Sequence, residues 1–233
     1  MKRIGILGGI SHESTAVYYQ RLHSEYFARH RDYYYPEVLV YSLNFQKFTD
    51  YEECGDMASY VAYILTGLDA LVRAGADVAL LAANSPHAVF PQLVARAALP
   101  LLSIVEVTAR AAKARGLQRL LLLGIRFTMQ STFYADTCAR NGIEVITPQE
   151  QEQAEINRII FAELVVGDFR EESRQALLAI IDRYPVDGVI LGCTELPLLL
   201  RQTDTEVALL DTLTLHVQAA LDQIEEITSS VIE

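Results

Sequence analysis

Short apolar runs that stop abruptly at glycine or another small residue punctuate this chain, and two pairs of them echo each other. Arg3-Ile4-Gly5-Ile6-Leu7-Gly8 is matched by Arg119-Leu120-Leu121-Leu122-Leu123-Gly124, and Ala76-Asp77-Val78-Ala79-Leu80-Leu81-Ala82 by Val186-Asp187-Gly188-Val189-Ile190-Leu191-Gly192. Gly8 and Asn84 are 76 residues apart, and Gly124 and Thr194 are 70. The runs at 4–7, 38–41, 78–81, 101–105, 120–123 and 189–191 read as strands buried on both faces, as in a parallel sheet. Between them, apolar positions recur every three or four residues over 14–29, 58–73, 130–140, 153–165 and 172–184, the pattern of helices.

Strand alternating with helix predicts an α/β fold with parallel sheets, and the echo predicts two pseudo-symmetric three-layer α/β/α domains. The expected division is 1–100 with 209–233, and 101–208, the final helix from Thr212 returning to the first half. Without a Pro/Gly/Ser-rich linker the halves are expected to pack, leaving a cleft between facing carboxyl ends of strands, where pockets commonly form.

Charge narrows the choice of partner. With 19 basic and 30 acidic side chains the formal charge is −11, which repels phosphate backbones and anionic bilayers, so no nucleic acid and no membrane is expected as partner. No apolar stretch reaches the roughly 18 residues of a membrane span. The opening apolar run is cut at Gly8-Gly9, too short for a signal peptide, so the reading is a soluble cytoplasmic protein with a small-molecule partner.

The strand exits carry the chemistry. They are Gly8-Gly9-Ile10-Ser11-His12-Glu13-Ser14-Thr15, Ala83-Asn84-Ser85-Pro86-His87, Gly124-Ile125-Arg126-Phe127-Thr128 and Gly192-Cys193-Thr194-Glu195-Leu196-Pro197. Gly8-Gly9 lacks the spacing of a nucleotide loop and reads as a tight turn, with Ser11 or Ser14 capping the helix. Cys193 follows a strand and precedes a helix. Its thiol is either activated by that helix N-terminus or a small core residue. Cys54 and Cys138 have no such setting, and no Cys-x-x-Cys or paired-histidine spacing suggests a disulfide framework or a metal. His12, His87 and His216 neighbour strand exits, whereas His23 and His30 fall on or beside a surface helix. Tyr33-Tyr34-Tyr35-Pro36 reads as an exposed turn or a partner surface.

Taken together, these exits resemble those of the aspartate/glutamate racemase family, the cofactor-independent amino-acid racemases. The resemblance rests on the Ile-Gly-Ile-Leu-Gly-Gly opening with Ser11-x-Glu13-Ser14-Thr15, on Asn84-Ser85-x-His87, on Gly124 to Thr128, on Gly192-Cys193-Thr194-Glu195, and on Asp211-Thr212 with His216. It implies two α/β domains with the active site in the cleft between them, a homodimer, and no pyridoxal phosphate, nucleotide or metal. It also implies proton transfer by two facing thiols. Cys193 matches one, but Ala83 stands where the other belongs, and a methyl group carries no proton.

By the same resemblance, Asn84, Ser85 and Thr194, with Ser11 and Thr128, are expected to hold the substrate carboxylate, while Lys47 and Arg126 are candidates for a distal carboxylate. His87 is expected to orient its loop. His12 is a loop residue, a carboxylate partner or a substitute proton donor. The implied activity is racemisation of a small, acidic amino acid, weak or one-sided for want of the second thiol. Relatives of the arylmalonate decarboxylase kind, which protonate a carbanion with one cysteine, and a non-catalytic amino-acid-binding protein are the alternatives.

Overall fold

The structure is a computed structural model that describes residues 2–229. It divides into two compact units, one running to Ser103 and completed by the segment from His216 onward, the other spanning Ile104–Leu215.

In the first unit the elements are β1 (Ile4–Gly8), α1 (His12–His30), β2 (Val38–Ser42), α2 (Phe45–Glu53), α3 (Met57–Ala74), β3 (Val78–Leu81), a 3₁₀ turn (Ser85–Val89), α4 (Phe90–Arg96) and β4 (Leu101–Leu102). All pairings are parallel, in the order β2-β1-β3-β4. The second unit contains α5 (Ile104–Ala114), β5 (Arg119–Leu123), α6 (Arg126–Gln130), α7 (Phe133–Ala139), β6 (Glu144–Ile146), α8 (Glu150–Ala162), α9 (Glu171–Ile181), β7 (Gly188–Leu191), α10 (Leu196–Leu199) and β8 (Ala208–Asp211). Its parallel order, β6-β5-β7-β8, repeats that of the first. The last helix, α11 (Thr212–Ser229), begins where the final amphipathic run was read, and what was expected beyond residue 229 lies outside the described residues.

The echo in the sequence is an echo in hydrogen bonding. Asp77 Oδ2 accepts from the Arg3 amide at 2.7 Å, and Asp187 Oδ2 accepts from the Arg119 amide at 2.9 Å. Each aspartate returns its own amide to the arginine carbonyl at 2.9 Å. Arg3 pairs with Glu37 at 3.0 Å and Arg119 with Glu144 at 3.2 Å, so the same three side chains tie the start of each sheet.

Local signals explain the boundaries. Ser11 caps α1, Asp56 caps α3 by accepting from the Ser59 amide, and Gly75, at φ 89°, ends α3 in the left-handed conformation that glycine tolerates. The first core packs β1 and β3 against α3 through Leu7, Leu81, Ile64, Leu68 and Leu71. In the second unit, Leu121, Leu123, Val189 and Leu191 pack against α8 and α9, while Leu120, Leu122 and Ile190 pack against α5 and α7.

Three expectations need correction. The run at 38–41 is an edge strand rather than one buried on both faces, with Val40 and Tyr41 exposed, because β2 pairs only with β1. The run at 101–105 is a strand only at Leu101–Leu102. Ile104, Val105, Thr108, Ala109 and Ala112 recur at helical spacing, and that period prevails from Ile104. The helix read over 130–140 is two helices, broken where the Ser131 hydroxyl donates to the Phe127 carbonyl at 2.6 Å. Among the described residues no helix is long and apolar enough to cross a membrane.

Candidate active site

In parallel α/β sheets the carboxyl ends of the central strands carry the loops available for ligand chemistry. In the first unit those loops follow β1 and β3. Gly9, at φ 81°, turns the chain where a Cβ would lie 2.3 Å from the Leu43 carbonyl oxygen. The next residues place Ser11 and Thr15 at the head of α1. The Thr15 hydroxyl accepts from the Gly9 amide at 2.9 Å and donates to the Ser11 carbonyl at 2.7 Å. The Ser14 hydroxyl reaches the Ala82 carbonyl at 3.4 Å, joining this loop to the β3 exit. His12 is exposed beside Glu13, on the wall of a surface recess of about 330 Å³ that Thr15, Tyr19 and Val40 also line.

At the β3 exit Ala83, Asn84, Ser85 and His87 are all buried. His87 Nδ1 lies 3.2 Å from the Asn84 carbonyl, which can only accept, so the Nδ1 proton is on and the ring holds the loop. Burial, with His216 nearby, pushes His87 down to about 3, so its ring is neutral. His216 is buried behind it, donating from Nε2 to the Leu102 carbonyl at 3.0 Å and accepting from the Tyr18 hydroxyl at Nδ1 at 2.9 Å. Burial lowers it to about 4.

Beside this loop lies a buried pair that the sequence reading had not singled out: the Tyr60 hydroxyl from α3 donates to Glu52 Oε1 from α2 at 2.9 Å. Burial raises the Glu52 carboxyl above the usual carboxylate range, against the Tyr60 hydroxyl that favours its charge. Nothing in Tyr51-Glu52-Glu53 distinguishes the inward carboxylate from a solvated charged run. Lys47, on the first turn of α2, is exposed, with its ammonium 4.5 Å from the Tyr63 ring centroid.

In the second unit the corresponding loops follow β5 and β7. Gly192 donates its amide to the Leu123 carbonyl as Ala82 does to the Leu7 carbonyl, so the next residues, Cys193 and Ala83, hold equivalent places in their sheets. Cys193 is half-buried, and its Sγ lies 2.9 Å from Oε2 of the buried Glu195. The Thr194 hydroxyl reaches the same oxygen at 3.2 Å. The helix expected behind Cys193 is a single turn, so a carboxylate, rather than a long helix end, is the partner of the thiol. Thr128 packs against Gly124, and among the described residues its buried Oγ1 has no hydrogen-bond partner. Arg126 opens α6, exposed, with its amide donating to Asn157 Oδ1 at 2.8 Å.

The structure thus gathers Ser11, Ala83, Asn84, Ser85 and His87 at one pair of strand ends, and Thr128, Cys193 and Thr194 at another. Lys47 lies apart from both, on α2 after the edge strand β2, and Arg126 lies on α6 after β5. Cys54 is exposed at the end of α2, and Cys138 is a core residue raised to about 11 by burial, neither near a strand exit. Among the described residues no group of three or more His, Cys, Asp or Glu side chains is arranged to hold a metal ion.

Two parallel sheets of one topology, each turning small and polar residues out at its central strand ends, define a tandem α/β protein. Comparison with known proteins specifies the family. The family model described as Asp/Glu/Hydantoin racemase matches residues 7–220, and the chain belongs to that family. A broad specificity amino-acid racemase of Bacillus subtilis is 26% identical over 213 residues, 89% of this chain and 92% of the relative. An aspartate racemase homologue from Pyrococcus horikoshii superposes with a TM-score of 0.82 at 36% identity, covering 96% of this chain and 99% of the other. A Yersinia pestis protein described provisionally as an Asp/Glu racemase gives 0.86 at 35% identity, with the same coverage. Family and fold together support an amino-acid racemase-like isomerase.

Proposed function

We propose that this chain acts at the α-carbon of a small, acidic amino acid through the Cys193 thiol, and that Ala83 makes the reaction one-sided. The observation that carries this reading is the Cys193 Sγ to Glu195 Oε2 contact of 2.9 Å at the β7 exit of a racemase-family chain. The carboxylate is placed to take the thiol proton. The thiolate then removes the α-proton, and the electron pair left on carbon spreads into the substrate carboxylate. Return of the proton from Cys193 restores the same enantiomer. Inversion needs a second proton donor, and Ala83, the equivalent of Cys193 in its own sheet, offers only a methyl group.

Hydroxyl and amide donors hold the growing carboxylate charge in this proposal: Asn84, Ser85, Ser11, Thr128 and Thr194. Thr128 supports it best, because a buried hydroxyl with no partner costs about 1–3 kcal/mol unless a ligand uses it. Lys47 and Arg126 are proposed for the distal carboxylate, His12 for a water-mediated proton, and His87 for fixing the Asn84 loop. Thiol chemistry calls for neither pyridoxal phosphate nor metal. Assembly as a cytoplasmic homodimer is also proposed.

The test is solvent deuterium exchange at the α-position, followed by proton NMR for both enantiomers of aspartate, glutamate and the common amino acids. One enantiomer is expected to exchange quickly and its mirror image slowly, and Cys193→Ala is expected to abolish both. Equal rapid exchange of both enantiomers would end the one-thiol account. The replacement at Ala83 also favours a second reading, protonation of a carbanion made by loss of carbon dioxide. That reading requires carbon dioxide release from a substituted malonate. Binding without exchange or release would make the chain an amino-acid-binding protein.

A further inference from the structure

We propose that β2 and the outer face of α1 form the surface on which two copies of this chain associate, their β2 strands pairing antiparallel about a two-fold axis at Val40. The inference rests on the reading of the protein as a homodimer. Of the eight large apolar side chains exposed among the described residues, five belong to α1, the loop after it and β2: Tyr19, Tyr33, Tyr34, Val40 and Tyr41. Three of these are joined. Between ring centroids, Tyr19 lies 4.4 Å from His23, His23 lies 5.0 Å from Tyr35, and Tyr35 lies 6.1 Å from Tyr33. Tyr19 and Val40 share the wall of one recess. Continuous exposed aromatic surface of this kind marks a contact site.

The strand edge supplies the geometry. β2 has five residues, against two, three and four for β4, β6 and β8, the other strands at sheet edges. Val38–Ser42 holds no charged residue and no proline, the usual guards of an exposed edge. On its inner side the Ile4 amide donates to the Glu37 carbonyl and the Leu43 amide to the Gly8 carbonyl, both at 2.9 Å. Alternation then points the amides and carbonyls of Val38, Val40 and Ser42 away from β1. A second β2, antiparallel to the first, satisfies them, and on the axis the two Val40 residues exchange both bonds.

Charge selects a second copy as the occupant. Residues 19–42 carry three arginines and three acidic side chains, formally neutral within a chain of −11. Arg21 pairs with Glu25, Arg29 with Asp222, and Glu37 with Arg3. Two copies of an acidic chain repel each other least through such a segment, and a two-fold contact, which meets itself, requires that neither sign be in excess. A basic partner would be drawn to the acidic remainder instead.

Sedimentation equilibrium of the wild type should give twice the 26.0 kDa chain mass. Val40→Pro removes an outward amide and no bond to β1, and Tyr19→Glu sets two carboxylates into the contact. Each should raise the dimer dissociation constant by about tenfold or more, with circular dichroism like that of the parent. Val166→Glu, at an exposed apolar residue of the second unit, should leave the constant unchanged. Hydrogen exchange of wild-type amides over 38–42 should slow as dilute protein is concentrated into the dimer. A dimer that keeps its strength in either variant, or loses as much in Val166→Glu, overturns the assignment of this surface and leaves the homodimer reading standing. Exchange over 38–42 that is the same in monomer and dimer does so too. A wild type that stays at 26.0 kDa ends both.

Discussion

The Sγ of Cys193 and Oε2 of Glu195 stand 2.9 Å apart, in a loop whose next hydroxyl, Thr194 Oγ1, reaches the same oxygen at 3.2 Å. In the proposed reaction Glu195 receives the thiol proton and aims the sulfur. Glu195→Gln keeps the shape but removes the charge, and its loss of a charge-assisted hydrogen bond should slow α-hydrogen exchange by about 10- to 100-fold. Ligand affinity should change less than the exchange rate, since of the proposed carboxylate donors Thr194 alone bonds Glu195 Oε2. Exchange rates by NMR and affinities by calorimetry check the split. An unaltered exchange rate would leave Glu195 without a part in thiol activation.

Ala83 occupies in the first sheet the place that Cys193 occupies in the second, each following a residue whose amide bonds the neighbouring strand. Placing a thiol at the equivalent position of the first sheet is thus a one-residue change at a buried site. Ala83→Cys should raise the rate of racemisation by about 10²- to 10⁴-fold, the usual worth of a positioned general acid or base. Polarimetry on each enantiomer measures it. A variant that folds as the parent does and gains nothing would show that the Ala83 side does not face the reacting carbon.

Much of this architecture was legible because hydrophobic period and turn chemistry agree in the central strands. Leu120–Leu123 and Val189–Leu191 are buried on both sides and end at glycine, so pattern and burial coincide. β2 misled because its apolar composition matches that of central strands, and only sheet order shows that it lies at an edge. Leu101 to Val105 misled because a continuous apolar run has no period of its own. At the candidate site, residues adjacent in sequence, such as Asn84 with Ser85 and Cys193 with Thr194, could be read from their motifs. The buried carboxyl beside the β3 exit could not. Glu52 meets Tyr60 only because α2 folds its last turn against α3, a tertiary contact that leaves no mark in local composition.

Gly192 sets the approach of the Cys193 loop to its sheet. A Cβ there would lie 2.8 Å from the Leu123 carbonyl oxygen and 2.7 Å from Leu122 Cδ1, and the first of these is backbone that cannot swing away. Gly192→Ala should destabilise the protein by about 1–3 kcal/mol, the usual cost of overpacking. It should also depress exchange beyond what lost folding explains, since the thiol moves with the loop. Urea titration beside exchange rates in the folded range separates the two effects. Full stability would show that the strand ends relax at no cost.

Acid should weaken the fold through two buried imidazoles. His87 and His216 are pushed down to about 3 and about 4 by burial, against 6.5 for a free histidine. A folded-state value below the unfolded one means that the unfolded chain binds more protons. Their contribution is complete above pH 6.5 and drains as pH falls toward those folded values. Each should steepen the loss by about 1.4 kcal/mol per pH unit in that window. Glu52 works in the opposite sense, because its raised carboxyl binds its proton more readily when folded, so the comparison belongs between variants. His216→Gln and His87→Gln should each lower stability at pH 8 and flatten the slope between pH 6.5 and 4.5, as read from urea midpoints at half-unit steps. Slopes equal to that of the parent would mean that these rings take up protons without unfolding, and the neutral hydrogen-bonding scheme drawn through Tyr18, Leu102 and Asn84 would have to be given up.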